Sequence, residues 1–392
     1  MNTLLSAGLI LLLGFTGARL LKYIRLPNVT AFLLVGILIG PNILNFVTDE
    51  IFFASDFFSN LVLGVIAFSL GENFRLDALK TGMKQVMWIS IVAAVATWIL
   101  VSVAIIIYFV AIGFPIYPGL VLGGAAAATA PAATVLVVRE YRSSGAFTEL
   151  LLKVVAIDDA WCLIVAALAI AFANALRAEV FQTSIIFASM GEIFGALIVG
   201  AILGYIFSFL NRFVKTREEF LIYIFGFILL NVGLSLALKI SVLLSSMTMG
   251  LVVINLAREN YKFFEVLRSV DAPLYLIFFI LAGAHLDFDI LYKMGIVGIL
   301  YVVFRTLGKV LGARIGAHIS KAPKVVEHWL GLALVPQAGV ALGIGLVAKA
   351  TFPDYGDYIF TVIAATTVVF ELAGPLLTKF SLIKAGEIAS SE

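Results

Sequence analysis

LLLKVVAIDDAWCLIVAALAIAFANA, residues 150–175, is the stretch on which the reading turns. It is apolar over more than the roughly 20 residues that a membrane-spanning helix needs. Two adjacent carboxylates, Asp158 and Asp159, nevertheless lie near its middle. An ionised Asp at the bilayer centre costs about 2.5–3.5 kcal/mol on insertion scales, and acids at that depth mark ion or proton pathways. Two side by side also repel. Packing gives no reason for such a pair, whereas holding cations or protons does.

The rest of the chain fits that reading. Of 392 residues, 62% are hydrophobic and only 13% charged, with mean hydropathy +1.12. Soluble domains carry about 25% charged residues. Helices satisfy their own backbone polar groups in lipid, so the expected class is an all-α integral membrane protein. The net charge of +2 offers nothing to nucleic acid. One cysteine, Cys162, leaves no intramolecular disulfide and reads as a packing residue. The N-terminal MNTLLSAGLILLLGFTGARLLK lacks the basic start of a signal peptide and reads as a first span.

Hydropathy marks thirteen segments at roughly 3–21, 27–46, 51–71, 86–112, 117–138, 148–174, 183–211, 219–238, 240–256, 267–285, 290–313, 328–350 and 356–378. Odd-numbered loops hold most of the cations, among them Lys22, Arg25, Arg75, Lys80, Lys84, Arg139, Arg142, Arg212, Lys215, Arg217, Arg258, Lys262 and Arg268. Even-numbered loops and their edges hold Arg177, Lys239, Lys293 and Lys349. The positive-inside rule therefore predicts the N-terminus outside and the C-terminus in the cytoplasm. The expected organisation is one transmembrane transporter domain over 1–385 and a short tail over 386–392, with no nucleotide-binding domain.

Three stretches recur at an offset of about 205–215 residues. TAFLLVGILIG around Gly36 echoes SSMTMGLVVIN around Gly250, and SLGENFRLDAL around Gly71 echoes LAGAHLDFDIL around Gly283. GLVLGGAAAATAPAATV, with Pro131, echoes GLALVPQAGVALGIGLV, with Pro336 and Gln337. The offset moves each span forward by seven, an odd number, so the predicted fold is two inverted six-helix repeats. Transporters of that plan place their site at the midplane beside discontinuous helices. Spans five and twelve have the breaking chemistry, since Pro removes a backbone donor and Gly tolerates unwound geometry.

Few other ionisable residues lie inside spans. Arg305 and Lys309, four apart in LYVVFRTLGKVLGARIG, share a helix face and are the expected counter-charges of the Asp pair. Lys309 pairing with one Asp would leave the other to take a cation or a proton. Glu371, in TTVVFELAGP, falls at the repeat offset from Asp159; it is expected to pair with Arg305, to line an inward funnel or to serve structure alone. His285, His318 and His328 lie near span ends without metal-ligand spacing. No phosphate loop, Ser/His/Asp arrangement or zinc pattern occurs, so no enzyme and no cofactor is expected.

On RLPNVTAFLLVGILIGP, TAPAATVLVVRE, AIDDAWCLIVAAL, RTLGKVLGARIGA, LVPQAGVALGIGL and VVFELAGPLLTKFSLIKAGE the chain resembles the second family of the monovalent cation:proton antiporters. The resemblance implies about thirteen helices with two crossing, unwound ones. It implies a homodimer, with a dimerisation part at 1–80 and 219–288, a core at 84–174 and 290–380, and a linker helix at 183–212. It assigns ion binding to Asp159 with Thr129, and a Lys309 bridge to Asp158. Two acids plus a lysine imply electrogenic exchange for protons, and the missing nucleotide-binding domain favours Na⁺ or Li⁺; the expected location is a bacterial or archaeal inner membrane. K⁺/H⁺ exchange on the same scaffold and a sodium-coupled organic-anion symporter are the alternatives. A channel would want a filter-like loop. An intramembrane aspartyl protease would carry its two acids on different helices.

Overall fold

The computed structural model describes residues 2–21, 23, 26–41, 43–74, 82–178, 183–257, 260–284 and 294–388. Lys22, Arg25, Arg75, Lys80, Arg258, His285 and Lys293 lie outside them. Sixteen α-helices and no strand occur among the described residues. Among the described residues, eight helical stretches are long and apolar enough to cross a membrane, and a ninth counts if the pair Lys262–Arg268 and Ala272–Ala284, bent by 54°, is one span. Several of the thirteen expected segments are instead short apolar helices, such as Asn28–Ile39 and Val242–Leu256.

The chain forms two compact units. The first holds Met1–Thr81 and Gly191–Leu286. Its helices are α1 (Thr3–Leu21), α2 (Asn28–Ile39), α3 (Asp49–Gly71), most of α8 (Thr183–Leu210), α9 (Arg217–Leu238), α10 (Val242–Leu256), α11 (Asn260–Arg268) and α12 (Asp271–Ala284). Glycines set its crossings. A Cβ on Gly36 of α2 would lie 2.1 Å from Ile280 O of α12, and one on Gly283 would lie 2.3 Å from Leu33 O. The same reciprocity joins Gly71 of α3, 2.4 Å from Leu251 N, with Gly250 of α10, 2.1 Å from Phe68 O. Only a residue without Cβ lets backbones approach so closely, the small-residue packing typical of membrane helices. Asn231 of α9 bridges two hydroxyls of α10, donating to Ser246 (2.9 Å) and accepting from Ser245 (2.8 Å).

The second unit holds Gly82–Met190 and Asp287–Glu392. It contains α4 (Met83–Ile112), α5 (Tyr117–Ala126), α6 (Pro131–Glu140), α7 (Ala146–Ala178), α13 (Gly295–Ile319), α14 (Lys324–Ala333), α15 (Gly339–Thr351) and α16 (Gly356–Lys384). Helix α13 lies against α4 through Gly308, Gly312 and Gly316; a Cβ on each would come within 2.5–2.7 Å of backbone atoms of Thr97, Ala93 and Trp88. This stripe at a spacing of four fixes the rotation of α13. Tyr301, Arg305 and Lys309 then form the neighbouring stripe, all buried.

Two interruptions complete the unit. Helix α5 stops at Ala126 because Pro131 opens α6 and holds Ala130 in extended backbone, φ −93° and ψ 105°. Helix α14 stops at Ala333, three residues before Pro336, and α15 resumes at Gly339. The two linkers meet, with Ala130 N–H donating to Pro336 O at 2.8 Å.

Candidate ion-binding site at two helix interruptions

Each interruption leaves carbonyls at the end of a half-helix without the donor that a continuous helix supplies. Both half-helix C-termini also carry negative partial charge, roughly half an elementary charge each. In a dry interior such groups demand donors. Arg305 supplies them. Its guanidinium donates to Ala126 O (3.1 Å) and Ala128 O (2.6 Å) on one linker and to Val335 O (2.6 Å) on the other. Phe370 of α16 lies under it, 4.2 Å from the guanidinium carbon to the ring centre. Gln337 adds a second tie, donating to Ala125 O at 3.0 Å and meeting the Tyr301 hydroxyl at 2.9 Å. Its Oε1 is buried without a hydrogen bond.

Lys309, one turn further along α13, carries charge to the acids. Its ammonium donates to Ala127 O at 2.6 Å and forms an ion pair with Asp158 Oδ2 at 2.7 Å. Neither side chain is exposed at all. The Thr129 hydroxyl also meets Asp158 Oδ2, at 2.5 Å, and lies 3.2 Å from Leu334 O across the crossing. Asp158 Oδ1 makes no hydrogen bond. Asp159 follows on α7, turned about 100° from its neighbour, and is only 2% exposed.

The structure thus brings Asp158, Lys309, Thr129, Arg305, Pro336 and Gln337 into one hydrogen-bonded group, with Asp159 and Pro131 next to its members in the chain. Glu371 does not join it. Arg305 donates to carbonyls instead, so an Arg305–Glu371 pair, one of the three alternatives for Glu371, does not form. Glu371 sits on the α16 stripe that continues through Gly374, where a Cβ would lie 2.7 Å from Pro336 Cα, and Thr378, whose hydroxyl reaches Ala333 O at 3.4 Å.

The family profile described as "Sodium/hydrogen exchanger, transmembrane" matches residues 8–382. The chain belongs to this family. It is a multi-pass membrane exchanger of cations for protons, a secondary transporter and not an enzyme. A curated relative, the ammonium/H⁺ antiporter subunit AmhT of Alkalihalophilus pseudofirmus, is 26% identical over 389 residues, covering 96% of this chain and 95% of the relative. Two structures of the sodium proton antiporter MjNhaP1 from Methanocaldococcus jannaschii are 19% identical and share the fold. The one at pH 8 has a TM-score of 0.71 and covers 98% of both chains; the other, by electron microscopy, scores 0.76 and covers 98% and 97%.

Sequence reasoning missed Tyr301 in this exchanger. The signal was present, because Tyr301, Arg305 and Lys309 repeat at a spacing of four and so share one face of α13.

Proposed function

We propose that the exchanger transports Na⁺, with Li⁺ as a substitute, in exchange for protons at Asp159, and that Asp158 and Lys309 form the neighbouring charge pair that responds to occupancy. What supports this reading is the burial of two adjacent carboxylates on the helix beside the two interruptions, Asp158 unexposed and Asp159 2% exposed, with Asp158 engaged by Lys309 at 2.7 Å. Asp159 is the acid that this reading gives to the transported ion or the proton. The two species compete for one carboxylate, and a site open to one side at a time converts competition into exchange. In this reading Thr129 supplies an oxygen ligand of the kind that a small hard cation takes up.

Thirteen spans in two inverted repeats fit the glycine crossings of the first unit. Under the repeat, Gly36 corresponds to Gly250 and Gly71 to Gly283, so the α2–α12 crossing exchanges with the α10–α3 crossing. In this reading the first unit dimerises and the second carries the ion, with the C-terminus in the cytoplasm. Movement of two protons per cation would make transport electrogenic.

A second reading keeps the site and changes the ion. The curated relative is named for ammonium, and K⁺ is close to ammonium in size, so either is a candidate cargo. The organic-anion symporter loses ground, since Ala125, Ala126, Ala127 and Ala128 line the interruption and are at most 1% exposed.

Proteoliposomes that report internal pH after addition of Na⁺, Li⁺, K⁺ or NH₄⁺ test these readings. Asp159→Asn is expected to abolish the signal for every cation while the protein elutes and melts as wild type does. Exchange that persists in Asp159→Asn removes Asp159 from the site.

A further inference from the structure

The two ends of α7, the helix that carries Asp158 and Asp159, are both held by residues flanking α16. After α16 the chain turns through Gly386, which has φ +74°. Gly386 N–H donates to Ile383 O at 3.0 Å and Glu387 N–H to Leu382 O at 3.2 Å, the paired bonds of a Schellman turn. This turn delivers Glu387 to the first turn of α7. There Phe147 N–H donates to Oε1 at 2.8 Å, and Thr148 N–H and its hydroxyl donate to Oε2 at 2.7 and 2.5 Å. Ser143 Oγ braces Thr148 Oγ1 at 2.7 Å and also reaches the Glu387 carbonyl at 3.4 Å. Gly145 makes room: its φ is +147°, and a Cβ there would overlap Glu387 Oε1 at 2.3 Å. At the other end of α7, Arg177 meets Asp354 at 3.0 Å, two residues before α16 begins.

The two clips differ in strength. Arg177 and Asp354 are 33% and 59% exposed, and such pairs contribute little. Glu387 satisfies two orphan N–H groups at a helix N-terminus, where the dipole also favours an anion. Where α7 faces Gly124 of α5 the packing gives it little axial grip. A Cβ on Gly124 of α5 would lie 2.6 Å from Ala169 Cβ and 3.3 Å from Ala166 Cα, so small residues face small residues there. A slip of one residue, roughly 1.5 Å, would break both contacts to Asp158 Oδ2.

We propose that Glu387 is a positioning residue for transport: its carboxylate fixes the axial place of α7, and with it Asp158 and Asp159, against the helix interruptions. This rests on the proposed site at Asp159. It differs from an ordinary helix cap in its consequence, which is ion affinity rather than stability alone.

The test uses the full chain in proteoliposomes, with Na⁺ as the cation and Li⁺, K⁺ and NH₄⁺ as parallel arms. Glu387→Ala and Gly145→Ala are each expected to raise the apparent KM about ten- to a hundredfold, the scale of effect of a misplacement of about 1 Å. Amide hydrogen exchange of the first turn of α7 should speed up in both. Glu387→Gln, which keeps one acceptor oxygen, is expected to restore most of the affinity, and it serves as the folded variant if Glu387→Ala does not insert. Wild-type KM and pH profile in Glu387→Ala or Gly145→Ala, with first-turn exchange accelerated, overturn the proposal even if the melting temperature falls. So does a KM in Glu387→Gln no better than in Glu387→Ala. Asp159→Asn in the same vesicles separates the two levels. Exchange surviving there defeats the site assignment, whatever the Glu387 series shows.

Discussion

Removing the ammonium of Lys309 while keeping its bulk is the sharpest perturbation of this site. Lys309→Met leaves the packing volume nearly unchanged, a swap that by itself costs under about 1.5 kcal/mol. It strips Asp158 Oδ2 of a 2.7 Å cation and Ala127 O of a 2.6 Å donor, both in a fully buried setting. Breaking one side of a buried pair costs about 3–5 kcal/mol, because a carboxylate remains without compensation. At about 2 °C per kcal/mol for a unit of roughly 200 residues, the apparent melting temperature should fall by about 6–10 °C. The assay is thermal unfolding of the detergent-solubilised protein followed by size-exclusion chromatography. The second arm is Asp158→Asn combined with Lys309→Met. That pair removes both charges and keeps an oxygen for the Thr129 hydroxyl, so it should recover about 1–3 kcal/mol of the loss, a coupling typical of contacting residues. A single variant that melts within about 1 °C of wild type, or a double variant no more stable than the single, would refute the bridge as a stabilising charge pair.

Two further outcomes follow from the same geometry. Arg305→Lys keeps the charge but puts all donors on one nitrogen, so the carbonyls of both linkers cannot be served together; a loss of about 2–4 kcal/mol is expected from one or two orphaned carbonyls, and a melting temperature indistinguishable from wild type would refute it. In wild-type vesicles the apparent KM for Na⁺ should rise as pH falls, about tenfold per pH unit for each competing proton; with one proton at Asp159 and a second at the Asp158–Lys309 pair the expected slope is two, and Glu371→Gln should leave it at two because Glu371 stands outside the hydrogen-bonded group, whereas a slope falling to one in that variant would make Glu371 the second proton carrier.

Much of the site was legible in the chain because its chemistry is costly. Asp158 and Asp159 declare themselves by the price of charge in lipid, and Pro131 and Pro336 by the backbone donors that they remove. The role of Arg305 was open, since its partners are backbone carbonyls and these leave no trace in a sequence until two half-helix ends are known to converge. Glu387 was hidden differently. It follows the last long helix in a polar stretch, and its local signal was Gly386 just past a helix end, which marks a Schellman turn without saying what the turn delivers. Helix length was less legible where glycine contacts set the packing. Helix α2 has only 12 residues, too few to cross a hydrocarbon core of about 30 Å at 1.5 Å per residue. Gly36 and Gly283 press it against α12, backbone to backbone, and a hydropathy window averages over such contacts.

The charges at the interruptions constrain what the exchanger can carry. Arg305 is committed to carbonyls on both linkers, and Lys309 is shared between one carbonyl and Asp158. With both acids ionised, the two carboxylates balance the two cations, and the positive ends of α6 and α15 offset the negative ends of α5 and α14. In the proposed site a monovalent cation at Asp159 would add one positive charge to this balanced set, and a single proton would add the same. With one proton per cation the two loaded forms would meet the same electrostatic barrier on crossing between the two sides. A divalent ion would add two positive charges, one more than a monovalent ion and as many as two protons. If the KM–pH slope is two, the proton-loaded form carries one charge more than the cation-loaded form, and one direction of the cycle must respond to membrane potential. Slope and voltage dependence therefore stand or fall together: a slope of two with turnover insensitive to an imposed K⁺-diffusion potential contradicts this charge count.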